Sequence, residues 1–382
     1  MNDEQPRSAW NIVALIATLG LAAVVAVVAV TRSDRRGPAA EGSPTASPSA
    51  SASATAPGSL AGRGPYVVYA NGTGEVFAYD VSAKQWVTMG RIDGPPVPQH
   101  ARQPSSGEVV AFATDGGTVW KVTRQGLDRV ALLPVSRPEL LEGGVVSRDG
   151  RRFAVGQTGA DPELLIVNLA NGRTQAIPRA SGSSNRYPDE PLIPVAWSLG
   201  GSLVYQMPVC DCDDGSPGLY LYDLEAERST LIAATAQDDF FQGFALSPDG
   251  QQLLWSDVGG RPFVLRRLSA GRSGSTVVRR DADERVNAIR WAPDGRSVLL
   301  DLAGVGGARS FELADPESGD TQRTIAGMPD RVAIEALLPG RVVVVSEIAG
   351  LNDPPMLVIV AAGEASTIAE SDQEPVFLGW LR

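Results

Sequence analysis

The densest group of reactive side chains in this 382-residue chain is Cys210-Asp211-Cys212-Asp213-Asp214. The two cysteines could form a small-ring disulfide, bind a soft metal ion or remain reduced. Zinc usually takes four nitrogen and sulfur ligands. The chain has no third cysteine and a single histidine, so we expect no metal site. A disulfide between Cys210 and Cys212 is favoured in an exported domain, because disulfides persist in oxidising compartments.

The carboxylates of this run could also help to hold Ca²⁺, which takes six to eight oxygen ligands. An acidic, solvated loop is the simpler interpretation. The preceding loop contains tyrosine and arginine, which are enriched at protein interfaces. The candidate partner-binding residues are Arg186, Tyr187, Asp189, Glu190, Asp211, Asp213 and Asp214. We predict no catalytic residue, no metal and no cofactor.

A recurring turn identifies the scaffold that must hold these loops. Near-copies stand at Ser147-Arg148-Asp149-Gly150, Ser247-Pro248-Asp249-Gly250 and Ala292-Pro293-Asp294-Gly295. A spacing of roughly 45 residues marks a repeat architecture. A type I turn favours Ser at its first position, Pro at its second and Gly at its fourth. Each copy should therefore join two antiparallel strands, and we interpret the Asp of each copy as a turn residue.

The strands around these turns fall into units of four. One unit reads NAIRWAPDG, SVLLDL, ARSFELAD and QRTIA, and six units contain all four strands. A partial unit that begins at Tyr66 lacks the first strand. The final strand, Pro375–Leu381, resembles the missing one, and pairing the two would close a ring without open edges. We therefore predict an all-β, seven-bladed β-propeller of four-stranded blades over residues 65–382, closed by the C-terminal strand.

The first hairpin of these units resembles the TolB-type propeller repeat, a relative of WD repeats with a W-S-P-D-G-type turn. The matching residues are Trp291-Ala292-Pro293-Asp294-Gly295, Leu246-Ser247-Pro248-Asp249-Gly250 and Trp197-Ser198. The resemblance covers the chain from Tyr66 to Arg382. It implies the fold rather than an activity, because propellers host many functions. The layout is also similar to that of membrane-anchored bacterial, actinobacterial-like envelope proteins that carry propellers.

The sequence before the propeller divides into three parts. Residues 1–9 form a short tail, residues 10–30 an uninterrupted apolar run, and residues 31–64 a linker rich in Pro, Ser and Ala. The apolar run is long enough for one uncleaved transmembrane helix. The linker has too few large apolar residues to bury a core, so we predict a disordered tether.

Two observations conflict over the orientation of the predicted membrane helix. Arg32, Arg35 and Arg36 follow the helix while Arg7 precedes it, and the positive-inside rule would place the richer flank in the cytoplasm. The composition of the stalk and the close cysteine pair favour export instead. We predict a single-pass protein of the cell membrane with an extracytoplasmic propeller.

Charge and loop length limit the functional classes. A net charge of −11 argues against binding to nucleic acid. The recurring turns should share one face of the ring with the turns between third and fourth strands. Most long loops fall on the other face, at residues 93–104, 178–191, 207–218 and 350–355. We predict a non-catalytic module that binds an unknown protein or envelope component through this long-loop face.

The alternative function is an envelope enzyme. His100 is the only histidine, and we interpret it as a surface residue because its neighbours are typical of a loop. A lyase or glycosidase could instead use paired carboxylates in the central channel. Glu142 and Glu335 fall in predicted innermost strands, but the sequence leaves open which way they face.

Overall fold

A computed structural model of the chain describes residues 58–97, 107–157, 163–177, 192–198, 200–207, 218–234, 241–257, 263–267, 275–278, 285–304, 308–347 and 355–382. Within these ranges no helix is long and apolar enough to cross a membrane. The predicted span at 10–30 lies outside the described residues, as does the linker up to residue 57. Residues 58–64, which composition assigns to the linker, pack on the propeller. Leu60 is buried there, and its amide donates a hydrogen bond to the carbonyl of Arg124.

The described strands form seven antiparallel sheets, numbered here in chain order. Sheet 1 contains β27 (Val376–Leu381), β1 (Tyr66–Ala70), β2 (Glu75–Asp80) and β3 (Gln85–Arg91). Sheet 2 contains β4 (Val110–Ala113), β5 (Thr118–Thr123) and β6 (Gly126–Leu132). Sheet 3 contains β7 (Leu141–Val146), β8 (Arg152–Gln157), β9 (Glu163–Asn168) and β10 (Thr174–Ile177). Sheet 4 contains β11 (Ile193–Trp197), β12 (Leu203–Met207), β13 (Gly218–Asp223) and β14 (Arg228–Ala234).

Three further sheets complete the set. Sheet 5 contains β15 (Phe241–Leu246), β16 (Gln252–Asp257), β17 (Phe263–Arg267) and β18 (Ser275–Val278). Sheet 6 contains β19 (Arg285–Trp291), β20 (Val298–Ala303), β21 (Arg309–Ala314) and β22 (Thr321–Thr324). Sheet 7 contains β23 (Val332–Leu338), β24 (Val342–Glu347), β25 (Met356–Ala361) and β26 (Glu364–Ala369). Single 3₁₀ turns occupy Pro138–Leu140, Pro339–Arg341 and Ser371–Gln373.

The first strands of the sheets contact one another in a closed circle, in the order β27, β4, β7, β11, β15, β19, β23 and back to β27. The predicted closure is confirmed, because β27 pairs with β1 in the register Tyr66 to Leu381 and Ala70 to Val376. The circle consists of six four-stranded blades and the three-stranded sheet 2. The prediction of seven four-stranded blades is thus corrected to six among the described residues. In sheet 2, a bridge from Pro96 to Thr114 begins a further pairing beside β4, and residues 98–106 lie outside the description.

The apolar core is divided among the boundaries between neighbouring sheets. Seven clusters of buried side chains each join two sheets that are adjacent in the circle. The inner strands are therefore covered on both faces, and β1 and β12 are buried along their whole length. This explains why the two strands are almost wholly apolar, with the sequences YVVYA and LVYQM. The outermost β22 is exposed throughout and reads TQRT.

The recurring turn has the geometry that its sequence predicts. The amides of Gly150, Gly250 and Gly295 donate to the carbonyl three residues earlier, over 2.8–2.9 Å. The φ angles of these glycines are +66°, +71° and +70°, in the left-handed region that glycine adopts without strain. Each copy joins the first and second strands of a sheet, so its glycine is a requirement of the hairpin.

Candidate functional site

The residues that the sequence selects as partner contacts lie outside the described residues. This applies to Arg186, Tyr187, Asp189 and Glu190, to Asp211, Asp213 and Asp214, and to Cys210 and Cys212. The described ends of the flanking strands test whether the loops at 178–191 and 207–218 leave the same end of a sheet. Ile193, which follows the first loop, pairs with Gln206, next to the start of the second loop. The two loops therefore leave sheet 4 at the same end, as predicted.

The described residues instead reveal a cavity on the face that carries the recurring turns. Its volume is about 650 Å³. Its charged lining residues are Arg148, Asp249, Asp294, Arg296, Asp315, Glu317 and Arg382. They come from sheets 1, 3, 5 and 6, which are spread around the circle, so the cavity covers the central axis. We call it the turn-face cavity. The turn between β21 and β22 joins the recurring turns in its lining, which confirms that both kinds of turn share one face.

The acidic residues of the turn-face cavity are held by their own turns. Asp249 accepts hydrogen bonds through Oδ1 from the Ser247 hydroxyl at 2.5 Å and from the Gln251 amide at 3.0 Å. Asp294 accepts the amide of Arg296 through Oδ1 at 3.0 Å. The interpretation of these residues as turn residues is confirmed. Because the turns fix their position, the carboxylates also present negative charge at a defined place beside the cavity.

Asp315 has the same arrangement in the turn between β21 and β22. The amides of Glu317 and Ser318 donate to its Oδ1 at 2.8 and 2.9 Å. The hydrogen bonds from the Ser318 and Glu317 amides hold the pKa of Asp315 below its ordinary value. A carboxylate that accepts two backbone amides is stabilised in its charged form. Asp315 is therefore ionised at neutral pH.

Two of the three basic lining residues, Arg148 and Arg382, enter the cavity from other sheets. Arg148 occupies the second position of its turn, where the other two copies have proline. It also lines a neighbouring cavity of about 290 Å³, together with Asp149 and Trp197. Arg382 follows β27, and its amide donates to the carbonyl of Gly107 at 2.6 Å. A Cβ on Gly107 would collide with the Arg382 side chain, so the glycine leaves room for that arginine.

The carboxylates of the innermost strands have a different role. Glu335 lies at a bulge in β23, is 2% exposed, and accepts the hydroxyl of Ser346 at 2.5 Å. Glu142 lies on β7, in a different part of the circle. The two glutamates thus lie in sheets 3 and 7, which are not neighbours in the circle. Nor do the described residues contain a group of three or more His, Cys, Asp or Glu side chains placed to hold a metal ion.

An ion pair within sheet 6 positions an arginine that also contacts sheet 7. Asp301 is 2% exposed and accepts two hydrogen bonds from Arg309, at 2.8 Å from Nε and 2.5 Å from Nη2. Arg309 also donates to the carbonyl of Val332, at the start of β23. The hydrogen bond from Arg309 to Asp301 raises the pKa of the guanidinium. This geometry anchors the first strand of sheet 7 to sheet 6, and we interpret it as structural.

A third cavity, of about 350 Å³, lies between sheets 7 and 1. Tyr69 and Phe77 stack with their ring centroids 5.3 Å apart. Trp86 is 54% exposed, and its Nε1 donates to the carbonyl of Ile368 at 2.9 Å. Burial raises the pKa of Tyr69 to about 12, so its hydroxyl stays protonated at neutral pH. The cavity is an aromatic cleft, and its exposed ring, that of Trp86, is held by a hydrogen bond from sheet 1 to sheet 7.

Comparison with known proteins supports the fold. No family model matches the chain, and no curated protein matches its sequence. Oligogalacturonate lyase from Vibrio parahaemolyticus is 16% identical over 81% of this chain and 87% of its own, with a TM-score of 0.53. TolB from Acinetobacter baumannii is 15% identical over 82% of both chains, with a TM-score of 0.45. The β-propeller domain of Cps50 (Swd1) from Myceliophteria thermophila is 13% identical over 77% of this chain and 96% of its own, with a TM-score of 0.49. At such identities the likeness to the lyase shows the fold alone.

The sequence predicts the turns of this face but not the cavity between them. The repeated Asp correctly indicates turn residues, but the three copies of the turn also differ from one another. Arg148 stands where Pro248 and Pro293 stand in the other two turns. This change from proline to arginine between equivalent turns was the one sequence signal that could have indicated a binding role for Arg148. The contribution of Arg382 had no such signal, because it depends on ring closure.

Proposed function

We propose that this chain is a non-catalytic binding module, anchored in the cell membrane by residues 10–30 and displaying its propeller outside the cytoplasm. It binds a protein or a component of the cell envelope. The observation that carries the proposal is the turn-face cavity, where charged side chains from four sheets meet over the ring axis. Its volume lies within the range of about 300–1,000 Å³ that is usual for ligand sites.

The turn-face cavity suits binding because three of its carboxylates are positioned before any ligand arrives. Asp249, Asp294 and Asp315 each accept a backbone amide of their own turn. Groups that are already ordered lose less conformational entropy on binding, which favours affinity. The turns themselves stand on strands of a closed ring, and a rigid scaffold keeps the groups of one site in register.

The long-loop face is proposed as a second contact surface. Its candidates are Arg186, Tyr187, Asp189, Glu190, Asp211, Asp213 and Asp214, with Cys210 and Cys212 as a proposed disulfide. Support comes from the loops that leave sheet 4 side by side at Ile193 and Gln206. A membrane-tethered propeller can contact one large partner by either face, so the two surfaces need separate tests.

The experiment is capture of partners by the full chain in the membrane of its native host. Cross-linking and mass spectrometry would compare the wild type with two sets of substitutions. The turn-face set is Arg148→Gln with Arg296→Gln, and the long-loop set is Arg186→Ala with Tyr187→Ala. At equal membrane levels and unchanged melting temperature, we expect at least one set to reduce capture of a specific protein about tenfold, or about 1.4 kcal/mol of binding free energy. Capture that neither set changes would refute the proposal.

A separate measurement tests the proposed orientation. Intact cells would be treated with a membrane-impermeant protease that cuts the linker between residues 37 and 57. We expect release of the propeller into the medium. An uncut linker in intact cells, with rapid cutting after lysis, would place the propeller in the cytoplasm.

An envelope lyase or glycosidase is the second candidate, and one observation favours it. Four carboxylates, those of Asp249, Asp294, Asp315 and Glu317, line the turn-face cavity. A general acid needs a raised pKa, whereas the pKa of Asp315 is lowered. The test is incubation of the full chain with host envelope polysaccharides. Release of unsaturated or reducing sugar ends that Glu317→Gln abolishes, with partner capture intact, would establish the enzyme.

A further inference from the structure

The charged residues of the turn-face cavity are separated by sign. Asp249 belongs to sheet 5, and Asp294, Asp315 and Glu317 belong to its neighbour, sheet 6. We call these four residues the acidic wall. Arg148 belongs to sheet 3 and Arg382 to sheet 1, on the two sides of sheet 2. We call these two residues the basic wall, and among the described lining residues only Arg296 on sheet 6 departs from the separation.

The separation follows from the ring. In a circle of seven sheets, sheets 5 and 6 are adjacent and lie away from the arc that runs from sheet 1 to sheet 3. The two walls therefore face each other across the axis instead of alternating around it. Opposite charges held apart by a rigid scaffold cannot collapse onto each other. Each wall keeps an electrostatic field directed into the cavity, which favours a complementary charge at a set position.

We propose that the turn-face cavity binds a polypeptide segment that carries charges of both signs. A lysine or arginine side chain of the segment meets the acidic wall, and a carboxylate meets the basic wall. This inference rests on the proposed binding function and names the chemistry of its partner. A uniformly anionic polymer would be repelled by the acidic wall, and a uniformly cationic one by the basic wall.

The partner is inferred to be a polypeptide because the lining combines charged groups of both signs with a group that can hydrogen-bond to a peptide backbone. Beside the charged groups, the cavity is lined by Gln252, whose side-chain amide can donate hydrogen bonds to a peptide backbone and accept them from it. Arg148 also reaches the smaller cavity beside Trp197. The binding surface thus extends beyond the axis, as an extended segment requires.

The test uses three fluorescein-labelled synthetic peptides of equal length and the purified full chain in detergent. One peptide has glutamates at one end and lysines at the other, one has only lysines as charged residues, and one has only glutamates. Fluorescence anisotropy would give each affinity over a series of salt concentrations. We expect the mixed peptide to bind about tenfold more tightly than either of the others, with the advantage falling as salt screens the charges.

Substitutions that keep the turns intact connect this preference to the walls. Asparagine retains the Oδ1 acceptor of aspartate, so Asp249→Asn with Asp294→Asn removes charge without removing the turn hydrogen bonds. We expect these variants to lose the advantage of the mixed peptide over the glutamate peptide. Arg148→Gln should instead raise the relative affinity for the lysine peptide. Asp320→Asn, exposed in the turn between β21 and β22 and outside the cavity lining, is the matched control and should change nothing.

The outcomes separate this inference from the proposed function. Equal binding of all three peptides, or preferences that the wall substitutions leave unchanged, would overturn the inference. If no peptide binds while the long-loop substitutions abolish partner capture, the inference fails and the proposed function stands. If the peptides show the expected preferences but the native chain captures no partner, the cavity chemistry stands and the proposed function fails. Because each variant is judged by a ratio of affinities, partial unfolding would lower all three affinities without imitating the result.

Discussion

The indole Nε1 of Trp291, at the end of β19, donates a hydrogen bond of 3.0 Å to the carbonyl oxygen of Ala245 in the preceding sheet. Trp197 makes the same bond, also of 3.0 Å, to Val145. Both indoles are at most 2% exposed. The tryptophan that opens the hairpin motif therefore fastens its own sheet to the one before it. The motif supplies a turn and also a connection between sheets.

Replacing Trp291 by phenylalanine should remove this bond while keeping an aromatic ring in place. We expect a loss of about 1–3 kcal/mol in the free energy of unfolding, because a buried carbonyl loses its partner and the smaller ring leaves a void. Urea unfolding followed by circular dichroism would measure it. Trp86→Phe is the control, since Trp86 makes a similar bond to Ile368 but is 54% exposed and water can replace the donor. An equal loss in the two variants would contradict the role assigned to Trp291.

The ion pair between Asp301 and Arg309 should be far more sensitive than an exposed pair. Arg309→Met leaves the buried carboxylate of Asp301 without its bidentate partner, and we expect a cost of about 3–5 kcal/mol in unfolding free energy. Arg137 and Glu139 form an exposed pair at 3.3 Å, so Arg137→Met should cost less than about 1 kcal/mol. Thermal unfolding of the two variants tests this contrast. A double variant, Asp301→Leu with Arg309→Met, should recover part of the loss, and no recovery would count against an unpaired charge as the cause.

Stability should fall in acid through Asp315. Its folded pKa lies below the ordinary value of 3.8, so its contribution is fully present above that value and is lost as pH falls through the folded pKa. Asp149 acts in the same direction: burial alone would raise its pKa, but the hydrogen bonds from Ser147 and Arg151, with the nearby arginine charges, together lower the pKa. Asp315→Asn should therefore flatten the pH dependence of the urea midpoint below about pH 4. An unchanged slope in this variant would show that the turn carboxylate does not contribute.

Two glycines with the same backbone angle offer a matched test of packing. Gly327 and Gly340 both have a φ of +76°. A Cβ at Gly340 would meet no atom within 4 Å, whereas a Cβ at Gly327 would collide with the backbone oxygen of Gly363. Gly340→Ala should cost about 1–2 kcal/mol, the strain of the left-handed region alone. Gly327→Ala should cost clearly more, and similar melting temperatures for the two variants would contradict the close approach.

Much of the fold could be predicted from the sequence because its determinants are local and repeated. The turn before Gly250 recurs with the same hydrogen bonds at Gly150 and Gly295, so one copy explains the others. The pairing of β27 with β1 is a long-range contact, and it was predictable because an N-terminal unit lacked the strand that the C-terminus supplied. Sheet 2 has three strands among the described residues, and the count of four-stranded blades was wrong there.

The candidate site could not be predicted in the same way. The turn-face cavity exists because Arg382, Arg148 and Asp294 come from distant parts of the chain and meet over the axis. No local pattern relates them, and their juxtaposition depends on how many sheets complete the circle. The long loops, by contrast, are conspicuous in the sequence, and most of their residues fall outside the described ranges. Local patterns thus predicted the scaffold, and the arrangement of charges emerged from its closure.

The pairing of β27 with β1 also has a mechanical consequence. A pulling force applied at residue 58 reaches the propeller at β1, which is hydrogen-bonded on both sides, to β2 and to β27. Such a strand cannot be peeled away like an outer one, because two ladders must shear together before it leaves. The Gly58–Pro65 segment would detach first, and the circle would open only after that double shear. The ring of sheets should therefore stay closed when a force acts on the chain at its N-terminal side.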